Sequence, residues 1–102
     1  MKIRLKLTKL EITGGIQDYF QKKMDMLEKY LNGVQVLNCD CEVEKIGGAQ
    51  KSGKVFRAEV NLEVPGSLLR VEREETDVYK AIDKVKDHLV LVIKKYRDKK
   101  GV

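Results

Sequence analysis

The chain has 102 residues, 42% of them hydrophobic and 36% charged, and its 21 Lys and Arg against 16 Asp and Glu leave a formal charge of +5. That length accommodates one domain, spanning 1–102, and that apolar share fills one core, which excludes both a multidomain enzyme and a disordered chain. No window approaches about eighteen consecutive apolar residues, and the amino terminus alternates where a signal peptide needs an unbroken apolar stretch, so the reading is a cytoplasmic protein without a membrane partner.

Ile3, Leu5 and Leu7 alternate with Lys2, Arg4 and Lys6, the period of two of a half-buried first strand. Thr13 then offers a hydroxyl to cap a first helix, in which Ile16, Phe20, Met24, Leu27 and Leu31 form one stripe flanked by Tyr19, Met26 and Tyr30. Asn32-Gly33 ends that helix, Gly33 supplying the left-handed residue. From Val36 the period returns to two. Leu37, Cys39, Cys41 and Val43 point inward in a second strand, with Asn38, Asp40, Glu42 and Glu44 outward.

The aperiodic stretch from Gly47 to Gly53 reads as a hairpin loop. A third strand then carries Phe56, Ala58, Val60, Leu62 and Val64 inward, Pro65-Gly66 makes a type II turn, and Leu68 to Glu74 return as a fourth. Thr76 is the expected cap of the last helix, with Asp77 favourable at the positive end of its dipole. Val78, Ile82, Val85, Leu89, Val92, Ile93 and Tyr96 make its apolar stripe. The expected fold is α+β, in the order β-α-β-β-β-α. Two helices pack on one face of a four-stranded sheet, a two-layer sandwich like that of double-stranded-RNA-binding domains. A right-handed crossover through the first helix makes the first two strands parallel neighbours.

Segment sums locate the positive charge. Lys2, Arg4, Lys6 and Lys9 against Glu11 face Asp40, Glu42 and Glu44 of the neighbouring strand, so that side of the sheet largely neutralises itself. The first helix balances. Eight cations between Lys80 and Lys100, against Asp77, Asp83, Asp87 and Asp98, place most of the surplus in the last helix. Such a helix suits nucleic-acid phosphates, although solvated helices are also Lys-rich.

Catalytic and ligand-binding motifs do not assemble. Gly48-Ala49-Gln50-Lys51-Ser52-Gly53-Lys54 nearly spells a phosphate-binding loop, but Val55 stands where a magnesium-ligating hydroxyl belongs and a strand follows in place of a helix. Cys39 and Cys41 lack the further ligands of a zinc site, and their Cα atoms would lie roughly 6.6 Å apart on one strand face, so they read as core thiols. His88, the single histidine, has no visible partner for acid–base work and reads as a partly exposed surface residue. No catalytic residue, metal, cofactor or small-molecule substrate is expected. Leu91 stands out because it projects from the back of the last helix, beside Lys80, Lys84 and Lys95, where with Val90 it could offer a small apolar contact.

The sequence resembles the ribosome hibernation promoting factors and ribosome-associated inhibitors of bacteria and plastids. The resemblance rests on Leu10-Glu11-Ile12-Thr13, Met26-Leu27-Glu28-Lys29-Tyr30, Val43-Glu44-Lys45 and Asp77-Val78-Tyr79-Lys80-Ala81-Ile82-Asp83, in that order, with the basic end Lys95, Arg97 and Lys99. It implies the same element order and a non-catalytic function. The implied protein binds the small ribosomal subunit in its mRNA and tRNA channel near the decoding centre and keeps idle ribosomes inactive.

By position, the resemblance implies contacts to ribosomal RNA from Lys23, Lys29, Lys80, Lys95, Arg97 and Lys99. Lys22, Lys84, Lys86 and Lys94 join them on charge alone. Met26, His88, Leu91 and Val92 stand where the family tends to carry basic or polar side chains. The chain resembles the short form, a monomer when free. The alternative is a general double-stranded RNA-binding module that is not specific to ribosomes.

Overall fold

The computed structural model describes residues 1–11, 14–47, 53 and 55–101. In chain order the elements are β1 (Arg4–Thr8), α1 (Gly14–Asp25), a 3-10 turn (Glu28–Tyr30), β2 (Asn38–Lys45), β3 (Phe56–Val64), β4 (Ser67–Glu75) and α2 (Val78–Lys100). The strands form one sheet in the order β1-β2-β3-β4, with β1 parallel to β2 and the later pairs antiparallel. This is the α+β two-layer arrangement expected from the alternation of periods.

The layers follow from the two periodicities. Alternate residues of the strands, including Cys41, Val43, Ala58, Val60, Leu62 and Val71, face the helices and are buried. Against them lie Phe20, Met24 and Leu27 from the α1 region and Ile82, Val85, Leu89 and Ile93 from α2, all fully buried in one cluster. No buried polar or charged residue interrupts this core among the described residues. At a typical 1.5–3 kcal/mol for each large side chain, roughly, the burial of these side chains outweighs any surface charge effect in holding the layers together.

Cys39 and Cys41 point into the core with their Sγ atoms 3.8 Å apart, both as free thiols. The contact with Cys39 and burial together push the Cys41 thiol pKa up, which keeps it neutral. The structural reading of the pair therefore stands on its burial.

Several boundaries move. The expected first helix runs through Leu31, but α1 stops at Asp25. Leu27 N–H donates to Met24 C=O at 2.9 Å and Tyr30 N–H to Leu27 C=O at 2.9 Å, bonds that reach back three residues and tighten the chain into the 3-10 turn. The tightening keeps Leu27 and Leu31 in the core while Met26, 40% exposed, turns to solvent. Gly33 has the expected positive φ, 82°, after this turn. Strand β2 begins at Asn38 rather than Val36, and Leu37, expected inside, is 44% exposed because it precedes the paired register.

The cap of α2 is Asp77, not Thr76: its carboxylate accepts from Lys80 N–H at 3.0 Å. Asp77 has the extended backbone of an N-cap, φ −129°, and its side chain reaches the third helical residue as that position requires. Thr13 and most of the glycine-rich stretch, 48–52 and 54, lie outside the described residues. Their flanks form the expected hairpin, with Ile46 N–H donating to Val55 C=O at 2.8 Å and β3 following. At the Pro65-Gly66 turn Gly66 takes φ 76°, and Tyr96 Oη donates to Pro65 C=O at 2.7 Å, tying the turn to the end of α2.

Candidate nucleic-acid interface

The sheet's open face is a charge network. Arg4 grips the Asp40 carboxylate through two nitrogens at 2.6 and 3.0 Å, as the parallel register Arg4 with Asp40 requires. At the centre Arg57, its side chain 15% exposed, contacts Glu42, Glu44, Glu59 and Glu72 at 2.8, 2.9, 2.8 and 3.3 Å. Burial works against the Arg57 charge, but hydrogen bonds to Glu59, Glu44 and Glu42 outweigh it and hold its pKa above the ordinary arginine value.

Over the paired strands this face presents four cations, Arg4, Lys6, Arg57 and Arg70, against seven carboxylates, Asp40, Glu42, Glu44, Glu59, Glu63, Glu72 and Glu74. The neutralisation expected between β1 and β2 occurs, but β3 and β4 add a negative surplus. The rest of the molecule therefore carries more than the whole +5 of the chain.

Most of that positive charge lies on α2, whose eight cations meet three aspartates, and the helix phase divides it in two. Along the seam between α1 and α2, the end of the 3-10 turn meets the last turns of α2. Lys29 and Lys94 hold their ammonium groups 5.2 and 5.4 Å from the centre of the Tyr30 ring, and Arg97 donates to the Asn32 carbonyl. Two candidates, Lys29 and Lys94, thus converge on one half-buried tyrosine, whose ring favours nearby cations, and Arg97 joins them two residues along the chain at Asn32. Tyr30 and Asn32 are not among the nine candidate contacts, although Tyr30 closes the motif Met26-Leu27-Glu28-Lys29-Tyr30. The burial stripe marks Tyr30 only as a flank, and Asn32 contributes through its backbone.

Further along the seam the cations have acidic partners. Lys23 lies 3.2 Å from Asp83, which also accepts from Tyr19 Oη at 2.5 Å, and Tyr19 meets Tyr79 edge to face at 4.9 Å. The bond to Asp83 raises the Lys23 pKa. Lys86, its side chain 16% exposed, lies 3.4 Å from Asp87. Lys84 pairs across to Glu75 at the end of β4.

The outer ridge of α2 carries Lys80, Lys95 and Lys99, all exposed, with Leu91, 63% exposed, in their midst. Lys22 is likewise exposed on α1. His88 and Val92 are half-buried while Leu91 faces solvent as expected. Among the nine candidates, then, Lys29, Lys94 and Arg97 form one cluster and Lys80, Lys95 and Lys99 a solvent-facing ridge. Lys23, Lys84 and Lys86 are each held by a carboxylate. An arrangement of this kind can place a row of cations against phosphates, a contact that positions a polyanion without reading its bases.

Known proteins share this fold. Residues 3–101 match the family described as Sigma 54 modulation protein / S30EA ribosomal protein. The chain is 28% identical over 88 residues to a ribosome hibernation promotion factor of Deinococcus radiodurans, covering 86% of this chain but 44% of that protein. It is 27% identical over 99 residues to a ribosome hibernation promoting factor of Pseudomonas putida, covering 97% of this chain and 89% of that one. The fold superposes on the N-terminal domain of Thermus thermophilus Protein Y with a TM-score of 0.79 at 34% identity, over 95% of this chain and 100% of that domain. A ribosomal subunit interface protein from Coxiella burnetii shares the fold, with a TM-score of 0.72 at 19% identity over 92% of this chain and 97% of that one.

Proposed function

This chain belongs to the Sigma 54 modulation protein / S30EA ribosomal protein family, and from that membership we propose that it is a ribosome-binding silencer of translation. In this reading it occupies the mRNA and tRNA channel of the small subunit near the decoding centre and keeps idle ribosomes inactive by binding, without catalysis. The names of its relatives, ribosome hibernation factors, support the assignment. The observation that carries it is the separation of charge: cations on the helical layer, surplus carboxylates on the open sheet. A polyanion meets attraction on one side of such a molecule and repulsion on the other, which orients binding before any contact forms.

Within the helical layer the principal phosphate contacts are assigned to Lys29, Lys94 and Arg97 at the seam and to Lys80, Lys95 and Lys99 on the ridge. Lys23, Lys84 and Lys86 join only by exchanging a carboxylate for a phosphate, which weakens their net contribution.

Co-sedimentation with purified small subunits at low and high salt tests the proposal. Wild type is expected to bind at low salt and to be released as salt rises, because each phosphate contact releases counterions. K95E/R97E is expected to bind at least about tenfold more weakly, with a salt slope smaller by about 1 for each phosphate no longer neutralised. Unchanged binding by the double variant would remove α2 from the interface, and absence of wild-type binding would remove the ribosome. Free duplex RNA provides the competing arm: equal affinity for duplex and subunit would identify a general RNA-binding module instead.

A further inference from the structure

We propose that β4 is a self-pairing edge, through which two copies of this chain join antiparallel about a two-fold axis at Val71 and continue one sheet across both. The inference does not rest on the ribosome reading, and it departs from the expectation that the free chain is monomeric.

Among the described residues β4 pairs with β3 alone, so its other side is an edge of nine residues. The phase of hydrogen bonding follows from the neighbouring ladder. Ile46 N–H bonds Val55 C=O, which assigns the odd-numbered residues of β3 to β2 and the even-numbered ones to β4. Val60 with Val71, Leu62 with Leu69 and Val64 with Ser67 are then bonded pairs. The backbone groups of Leu68, Arg70, Glu72 and Glu74 are directed at the edge.

Charged side chains on an edge normally discourage pairing, but here their order is self-complementary. With the axis at Val71, Arg70 opposes Glu72 of the second copy and Glu72 opposes its Arg70. All four are residues whose backbone groups face the edge. Moving the axis to residue 70 would set Arg70 against Arg70, and moving it to 72 would set Glu72 against Glu72. Backbone phase admits an axis at any of these three residues and excludes one between residues, and among them charge selects Val71.

Arg70 and Glu72 side chains remain 60% and 48% exposed despite their contacts within the chain, so both are accessible to a neighbour. Leu68, 59% exposed, would come to lie along the stem of Glu74 of the second copy. The opposite edge offers no such match: β1 has five residues, and its outward charges, Arg4 and Lys6, are both positive.

Sedimentation equilibrium over about a hundredfold range of protein concentration tests the proposal. Wild type is expected to show a monomer–dimer equilibrium. R70E and E72R each set like charges opposite one another twice per dimer and are expected to weaken it about tenfold, whereas R70E/E72R exchanges the two signs and restores it. In the wild-type protein, amide exchange at Arg70 and Glu72 is expected to slow as concentration rises, while exchange at Leu69 and Val71 does not change. That measurement does not depend on the variants folding. A monomer at every concentration, single variants that dimerise as well as wild type, a folded double variant that does not recover, or exchange at Arg70 and Glu72 independent of concentration would overturn the proposal.

Discussion

Arg57 shows how one side chain organises a face. Its guanidinium, mostly withdrawn from water, has Glu42, Glu44, Glu59 and Glu72 around it. In Glu42 the hydrogen bond from Thr8 leads in lowering the pKa and Arg57 adds to it; in Glu59 burial pushes the pKa up but bonds from Arg57, Asn61 and Arg70 outweigh it. Both carboxylates therefore titrate below the ordinary glutamate value of 4.5. A lowered folded pKa gives stability that is complete above the unfolded value and is lost as pH falls through the folded one. Chemical denaturation is accordingly expected to show constant stability near neutrality and a decline on acidification below about 4.5. R57A is expected to cost about 2 kcal/mol at neutral pH, because it leaves crowded carboxylates without their cation, and to shrink that acid-dependent decline. The alternation of strand residues shows that Arg57 and these carboxylates share a face, but not that one guanidinium serves four of them, which depends on three strands meeting in register.

At the scale of elements, α2 was almost fully legible: its apolar stripe, its basic end and its start within one residue all follow from local spacing. The cap was the exception, because Thr76 and Asp77 are adjacent and both suit an N-cap, and the backbone conformation decides for Asp77. D77A is expected to destabilise the domain by about 1 kcal/mol in a urea titration, whereas T76A is expected to have a smaller effect. The end of α1 was not legible. The stripe through Leu27 and Leu31 satisfies a continuing α-helix as well as a 3-10 turn, since both bring residues three or four apart to one side. The choice changes the candidate site, because the tightened turn is what presents Lys29 and Tyr30 to Lys94 and Asn32 to Arg97.

At the scale of the molecule, the two layers carry opposite charge, and the proposed RNA contacts belong to one of them. K94E is therefore expected to weaken subunit binding, while E74K, on the open sheet face, is expected to leave it within about twofold of wild type in the same sedimentation assay. A comparable loss from E74K would mean that the sheet contacts RNA too. The order of elements, the buried face of each and the excess of cations in α2 were determined by the sequence alone, because periods of two and 3.6 and the sum of charges are local properties. Which cations stand free and which are held by Asp83, Asp87 or Glu75, and how far the sheet departs from neutrality, were decided only by the tertiary structure. The reason is physical: these interactions require approach within a few ångströms, and the chain brings Arg97 to Asn32 across 65 positions.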